Sequence, residues 1–302
     1  MINLTHKNTL IVIAGPTGIG KTALAIDVAK HFNTEIVSAD SRQFYKELKI
    51  GAAFPNHKEL SVVKHHFIGN LSITDEYNVS KYEQDALQTL ETIFTTHNTA
   101  VLVGGSGLYL DAVCKGIDEL PDPDPELRES INTLFNENGI TALQSKLKLL
   151  DPEYYNQVDR DNPKRLMRAI EVCITTGKTY TSLRLSNPKP RNFNIVKIGL
   201  FTDREVMYWR INQRTDKMIK DGLIEEAFSL LPFRNYNALN TVGYKELFNY
   251  FDKTITLEEA IDKIKIHTRR YAKRQLTWFN KDDKIIWIDI NNIKNIYDVL
   301  NF

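Results

Sequence analysis

Gly15, Pro16, Thr17, Gly18, Ile19, Gly20, Lys21 and Thr22 spell G-x-x-x-x-G-K-T, directly after the apolar run Leu10-Ile11-Val12-Ile13-Ala14. Thr22 to His31 has the spacing of an amphipathic helix. Strand, glycine-rich turn and helix in that order is the context that gives this motif physical meaning. The glycines let the backbone wrap close to an anion, and successive amide N–H groups and the helix N-terminus then point at phosphate oxygens. Lys21 adds a compact positive charge, and the Thr22 hydroxyl can ligate Mg²⁺. The motif predicts a bound diphosphate or triphosphate, ATP among the possibilities. It does not say which, or what reaction follows.

The rest of the chain extends this unit. Glu35–Ala39, Thr99–Val103, Ile195–Phe201 and Lys284–Ile290 read as strands, and Ser80–Thr95 reads as a helix with Tyr82, Ala86, Leu90 and Ile93 on one stripe. Strands alternating with helices predict a parallel sheet. Three prolines within Pro121–Pro125 break the pattern, and Pro188 and Pro190 break it again. Between the breaks the spacing is helical: Glu126–Glu137, Thr141–Leu150, Asp151–Asn156 and Asn162–Thr175. The expected fold is α/β, a P-loop NTPase-like parallel sheet flanked by helices with a mainly helical insert. Residues 1–115 and 191–302 form the core in this reading, and residues 116–190 form the insert.

Charge separates along the chain. The net charge is +1, yet Arg160–Arg274 holds 23 Lys and Arg against 13 Asp and Glu, while the remainder is correspondingly acidic. Such asymmetry points to a polyanionic partner for the basic part. The two cysteines, Cys114 and Cys173, form no C-x-x-C. A disulfide framework is excluded on that count, and a reducing cytoplasm fits. No apolar run is long enough to span a membrane.

Asp40, Ser41, Arg42 and Gln43 follow the second strand. In an open α/β sheet the ligand crevice lies outside the carboxyl ends of the strands, so Asp40 is expected beside the phosphate loop. There it could ligate Mg²⁺ or take a proton from a nucleophile; capping a turn is its ordinary structural alternative. The strand Ala100–Val103 ends in Gly104-Gly105-Ser106-Gly107 rather than in the aspartate a hydrolytic P-loop protein uses. A motor or signalling NTPase is disfavoured.

These motifs resemble the tRNA dimethylallyltransferases. The resemblance covers nearly the whole chain: the loop at 15–22, Asp40–Gln43 with Tyr45, Gly51 to Pro55, and His65-His66. Further along come Val103–Tyr109, Asp122–Arg128, Asp161–Glu171, Thr176–Lys178, Val242–Lys245, Thr268–Gln275 and Thr277–Phe279. Ser106 stands where the family often has threonine, Ala52-Ala53-Phe54 replaces a more usual Thr-Ala-Lys, and Lys64 replaces a common proline.

The resemblance implies transfer of a dimethylallyl group from dimethylallyl diphosphate, with Mg²⁺. The acceptor would be the exocyclic N-6 amine of the adenosine 3′ of the anticodon (tRNA position 37), in tRNAs reading codons that begin with U. Asp40, Thr17 and Lys21 would be catalytic. Residues 15–22 would bind the diphosphate, with the Mg²⁺ at Thr22. Asp40, Ser41, Arg42, Gln43, Ser106, Arg128, Lys164, Arg165, Leu166, Met167 and Arg168 would contact the tRNA. So would Asn240, Thr241, Val242, Gly243, Tyr244 and Lys245. The insert would clamp the anticodon stem-loop, and the protein would act as a monomer.

Over 264–279 two stripes appear. Ile264, Thr268, Tyr271, Gln275 and Trp278 are expected to face the core, and Arg270, Lys273 and Arg274 to face elsewhere, toward RNA phosphates. Trp209 and Trp287 read as core. His65 and His66 could line the site or serve the structure. Three other readings compete: a small-molecule kinase using ATP, an adenylate isopentenyltransferase, and a non-catalytic RNA-binding module.

Overall fold

The computed structural model describes residues 6–122, 124–184 and 187–300, so Pro123 of the proline-rich break lies outside it. The strands are β1 (Thr9–Ala14), β2 (Ile36–Ser38), β3 (His65–His66), β4 (Thr99–Gly104), β5 (Asn194–Phe201) and β6 (Ile285–Asp289). They form a parallel sheet in the order β3-β2-β4-β1-β5-β6. The helices through the middle of the chain are α1 (Lys21–His31), α2 (His57–Val62), α3 (Val79–Phe94), α4 (Gly107–Lys115), α5 (Pro125–Leu150), α6 (Pro152–Gln157), α7 (Pro163–Thr176) and α8 (Tyr180–Leu183). After β5 come α9 (Arg204–Lys220), α10 (Leu223–Ser229), α11 (Tyr244–Phe251), α12 (Leu257–Phe279) and α13 (Ile296–Leu300). The expected parallel α/β fold is what the chain adopts.

Every residue of β1 and β4 is buried. Helices cover both faces of a parallel sheet, so its strands read as continuous apolar runs. The period of two survives beneath that run. Leu10, Val12 and Ala14 join the core under α3, α4, α11 and α12, whereas Ile11 and Ile13 join the one under α1 and α13. With β1 between β4 and β5, the loops after β1, β2, β4 and β5 emerge at one edge.

The described residues cluster into two compact units, 1–115 with 190–302, and 116–189. In the second unit α5 bends at Gly139, whose φ of 69° and ψ of −171° leave the helical region. The two expected helices are present, as two helical segments that meet at a kink at Gly139. Its core is Ile131, Leu143 and Leu147 against Leu166, Ala169 and Ile170 of α7.

Glu171 is the ionic centre of this unit and is 1% exposed. It accepts both Arg128 Nε and Nη2 at 2.7 Å, and Arg168 Nη1 at 2.7 Å. Burial alone would raise the carboxyl; the bonds and charges of the two arginines outweigh it and hold it below its ordinary 4.5. Such a group stabilises the fold above its unfolded pKa, and that stability is lost as pH falls through the lower folded value. Glu171→Gln should therefore melt below the wild type at pH 6, and the gap in melting temperature should close as the pH approaches 3. A gap that stays constant with pH would show that Glu171 acts by shape alone.

Candidate active site

The phosphate loop is built by three left-handed or extended glycines. Gly15, Gly18 and Gly20 have φ of 150°, 81° and 106°, and Gly20 precedes the first turn of α1. A side chain at Gly18 or Gly20 would be strained whatever the space around it. Ile19 points inward and is 2% exposed, anchoring the turn to the core. Lys21 Nζ donates to the Pro16 carbonyl at 2.9 Å, closing the loop on itself. Burial pulls the Lys21 ammonium down to about 8; Asp40 opposes this and Arg214 adds to it. The Thr22 hydroxyl donates to no protein group among the described residues.

Gln275 of α12 fixes this loop from outside. Its Oε1 accepts Thr17 N–H at 2.9 Å and its Nε2 donates to the Gly105 carbonyl at 2.8 Å. One amide bridges the turns after β1 and β4. Gly104 and Gly105 are required here, because a Cβ would collide with the Ala39 carbonyl or with the Gln275 amide. Arg210 of α9 adds a second clamp, its Nε donating to the Gly18 carbonyl at 3.0 Å.

Asp40 stands at the end of β2 as expected. Oδ1 accepts Arg42 N–H at 3.0 Å, so it does cap the local turn. Oδ2 has no hydrogen-bond partner among the described residues. Ser106 Oγ accepts Ser41 N–H and donates to Ser41 Oγ, each at 3.4 Å.

Two clefts meet here. One, about 460 Å³, holds Lys21, Thr22, Gln43, Trp209, Arg210 and Gln213. The other, about 750 Å³, holds Ser41, Arg42, Asn240–Gly243, Lys245, Lys263, Arg270 and Arg274. Thr17, Asp40, Arg214 and Tyr271 line both. Cationic and amide groups are prominent in each cleft, and Asp40, with its Oδ2 unpaired among the described residues, lies where they join.

The structure redistributes several of the expected site residues. Tyr244 is fully buried. Its hydroxyl donates to Glu226 at 2.7 Å, and Glu226 also accepts Ile50 and Gly51 N–H. It therefore supports the 50–51 turn and cannot touch a polynucleotide. Gln43 does the same for the next residues: its Nε2 donates to the Ala52 and Ala53 carbonyls, where Ala53 has φ 47°. Arg42 reaches the Asn237 and Asn240 carbonyls. Leu166 is buried in the core of the helical unit, whereas Lys164 and Arg165 are exposed. Arg128 and Arg168 belong to that unit and share Glu171. His66 pairs with Glu35 and His65 Nδ1 with the Val63 carbonyl; neither lines the clefts.

Two expectations of burial fail. Trp209 is not core but 63% exposed, at the phosphate-loop cleft. The apolar-looking stripe of α12 splits: Ile264 and Gln275 are buried, while Tyr271 and Trp278 are over a third exposed. Helical spacing marks a face without saying whether protein or ligand covers it. Arg210, Gln213 and Arg214 were absent from the expected site altogether. The available signal was position: α9 follows the carboxyl end of β5, on the edge where ligands bind.

Comparison with known proteins agrees with this geometry. The family described as IPP transferase matches residues 43–282. The tRNA dimethylallyltransferase of Christiangramia forsetii is 56% identical over 97% of this chain and 98% of its own length. Tyrosine-for-tyrosine agreement is not needed to decide the matter at that identity. This chain belongs to the IPP transferase family. The tRNA dimethylallyltransferase 1 of Bacteroides thetaiotaomicron is 51% identical, covering 92% of this chain and 91% of its own. Among solved structures, the tRNA isopentenylpyrophosphate transferase of Bacillus halodurans has a TM-score of 0.71 at 34% identity, over 97% of this chain and 96% of that one. A eukaryotic dimethylallyltransferase acting on tRNA shares the fold with a TM-score of 0.80 at 24% identity, covering 97% of this chain and 79% of that one. Among the described residues no helix is long and apolar enough to cross a membrane.

Lys21 gives this family member a titration to follow. Below pH 8 its charge assists an anion; above it, a bound anion must restore the charge by taking up a proton. The affinity for inorganic diphosphate contributed by Lys21 should fall as pH rises past about 8, by up to tenfold per unit. In titration calorimetry Lys21→Met should bind less tightly at pH 7, and its deficit against the wild type should shrink by pH 9.5. A deficit independent of pH would mean that Lys21 acts without a change of charge.

Proposed function

We propose that this chain is a tRNA dimethylallyltransferase. It transfers the dimethylallyl group of dimethylallyl diphosphate to the N-6 amine of the adenosine 3′-adjacent to the anticodon, in tRNAs reading codons that begin with U, and releases diphosphate. The observation that carries this reading is the junction of two anion-binding clefts at Thr17, Asp40, Arg214 and Tyr271. One cleft is sized for a diphosphate on the phosphate loop. The other suits a polynucleotide, being lined by Lys245, Lys263, Arg270 and Arg274. A kinase needs no second basic cleft, and an RNA-binding module needs no phosphate loop.

The loop serves a leaving group in this scheme. An allylic C–O bond ionises readily once the departing diphosphate is stabilised by preorganised donors. Those donors are the amides of Gly18 and of residues 20–22, Lys21, and Arg214, whose guanidinium makes no hydrogen bond among the described residues; the Ile19 N–H is held by the Pro16 carbonyl. Thr17 N–H is not one of them, since Gln275 occupies it; that bond leaves the Thr17 hydroxyl at the junction. The target base must leave its stack to reach the junction, as bases in an anticodon loop can. The amine nitrogen attacks the allylic carbon, and Asp40 Oδ2 accepts its proton. Lys164 and Arg165, exposed on the helical unit, would hold phosphates of the stem-loop.

A divalent cation fits the residues present. The Thr22 hydroxyl has no hydrogen-bond partner among the described residues and lines the phosphate-loop cleft. Among the described residues no group of three or more His, Cys, Asp or Glu could hold a metal alone. Mg²⁺ suits such a site, because it binds through one or two protein oxygens plus substrate phosphates and water. Bound there it would neutralise charge on the departing diphosphate. The protein would act in the cytoplasm, without consuming ATP.

Mass spectrometry of tRNA nucleosides after incubation with dimethylallyl diphosphate tests the activity directly. Unmodified adenosine at that position would refute it. Asp40→Asn keeps the turn cap but removes the base, and single-turnover transfer should fall about 10²–10⁴-fold with donor affinity little changed. A rate within threefold of the wild type would remove Asp40 from the mechanism. Binding of tRNA should weaken with salt, by about 0.7–0.9 log units per neutralised phosphate per log unit of salt. Arg270→Ala should flatten that slope by about one contact. An unchanged slope would mean that Arg270 faces only solvent.

A further inference from the structure

Tyr271 is the one aromatic residue shared by both clefts. Its hydroxyl end lies beside Ser106, which is itself tied to Ser41 next to Asp40. The Arg274 guanidinium lies over its ring, 5.8 Å from the centroid. Among the described residues no other ring packs against it, and the residue is 36% exposed. A phenol covered by a cation and otherwise open to a cleft is a poor piece of core. It matches a platform for a planar ligand, since aromatic faces stack nucleobases whatever their identity.

Resting on the function proposed above, we infer that Tyr271 is the stacking platform for the extruded adenine. A base that leaves an anticodon loop loses its stacking on both neighbours. Asp40 can hold the amine of that base but cannot hold its plane. Tyr271 supplies the plane at the same junction, so the amine nitrogen is presented toward the donor carbon rather than swinging freely. Arg274 backs the ring on one side. Tyr271 is thus a positioning residue for the acceptor, and its contribution lies in the tRNA half of the reaction.

The test uses the full chain and two variants. Tyr271→Phe keeps the ring and loses the hydroxyl; Tyr271→Leu keeps apolar bulk and loses the aromatic face. An anticodon stem-loop carrying 2-aminopurine at the target position reports stacking by fluorescence, and it cannot react because it lacks the N-6 amine. The wild type and Tyr271→Phe should quench the bound probe; Tyr271→Leu should leave it brighter. With the natural stem-loop, Tyr271→Leu should raise KM for RNA or slow single-turnover transfer by about 10–100-fold, the range expected for one stacked base. KM for dimethylallyl diphosphate should stay within about twofold. Quenching by Tyr271→Leu equal to that of the wild type, or a loss confined to the donor KM, would overturn the platform. A wild type that fails to modify the stem-loop would instead overturn the functional reading on which the platform rests. Circular dichroism melting of both variants near the wild-type temperature separates either result from misfolding.

Discussion

One primary amide holds the site together. Gln275 accepts from Thr17 N–H and donates to the Gly105 carbonyl, joining turns that follow β1 and β4 through a side chain 258 residues from the first of them. The amide is 6% exposed, so each bond is made where water cannot replace it. Leaving either backbone group unpaired would cost about 1–3 kcal/mol. No carboxylate or ammonium could do the same work, because the joint needs one acceptor and one donor on one planar group. Its consequence reaches the chemistry. By occupying the Thr17 amide it selects which N–H groups of the loop remain for an anion, and it fixes where α12 passes the junction. Tyr271, one turn before Gln275, takes its place from the same constraint.

Buried carboxylates complete the scaffold, and they explain the uneven charge of the chain. Glu171 gathers Arg128 and Arg168; Glu226 gathers the 50–51 amides and Tyr244; Glu246 accepts Gly243 N–H at 2.8 Å and pairs with His267 at 2.6 Å. Three acids of the basic half are thus turned to amides and selected side chains. Lys245, Lys263, Arg270 and Arg274 are left to line the cleft. A net-basic stretch in sequence becomes a strongly basic surface because its negative charges have structural work.

What could be read from the sequence divides by range of interaction. The phosphate loop, β1, and Asp40 at the end of β2 were legible because each is local: a strand, a turn and a helix start decide them within a dozen residues. The core strands were legible for the same reason, though β3 is only two residues long and was not foreseen. Partnerships across the chain were hidden. Tyr244 sits in a glycine-containing motif that suggests a binding loop, yet it is the Glu226 contact, 18 residues away, that buries it. Trp209 and Tyr271 show the reverse. Trp209 read as core and Tyr271 lay on an apolar-looking helical stripe, and only the neighbouring elements reveal that both open onto a cleft. Arg210 and Arg214 carry no local signature, since two arginines four apart on a helix are ordinary surface chemistry until the helix is known to cross the phosphate loop.

Two polyanions cannot share one basic surface without repelling each other. A diphosphate and a tRNA backbone at close range would raise each other's energy by several kcal/mol at the effective dielectric of a protein cleft. Separate clefts remove most of that repulsion while a common wall keeps the reacting atoms adjacent. The wall is narrow, four residues, and each has a different chemical character: a hydroxyl, a carboxylate, a guanidinium and an aromatic ring. In the proposed reaction Arg214 would face the departing anion and Asp40 the proton to be removed. The protein's cation and anion would then stand opposite the charges that the transfer creates, and exchanging them would oppose it.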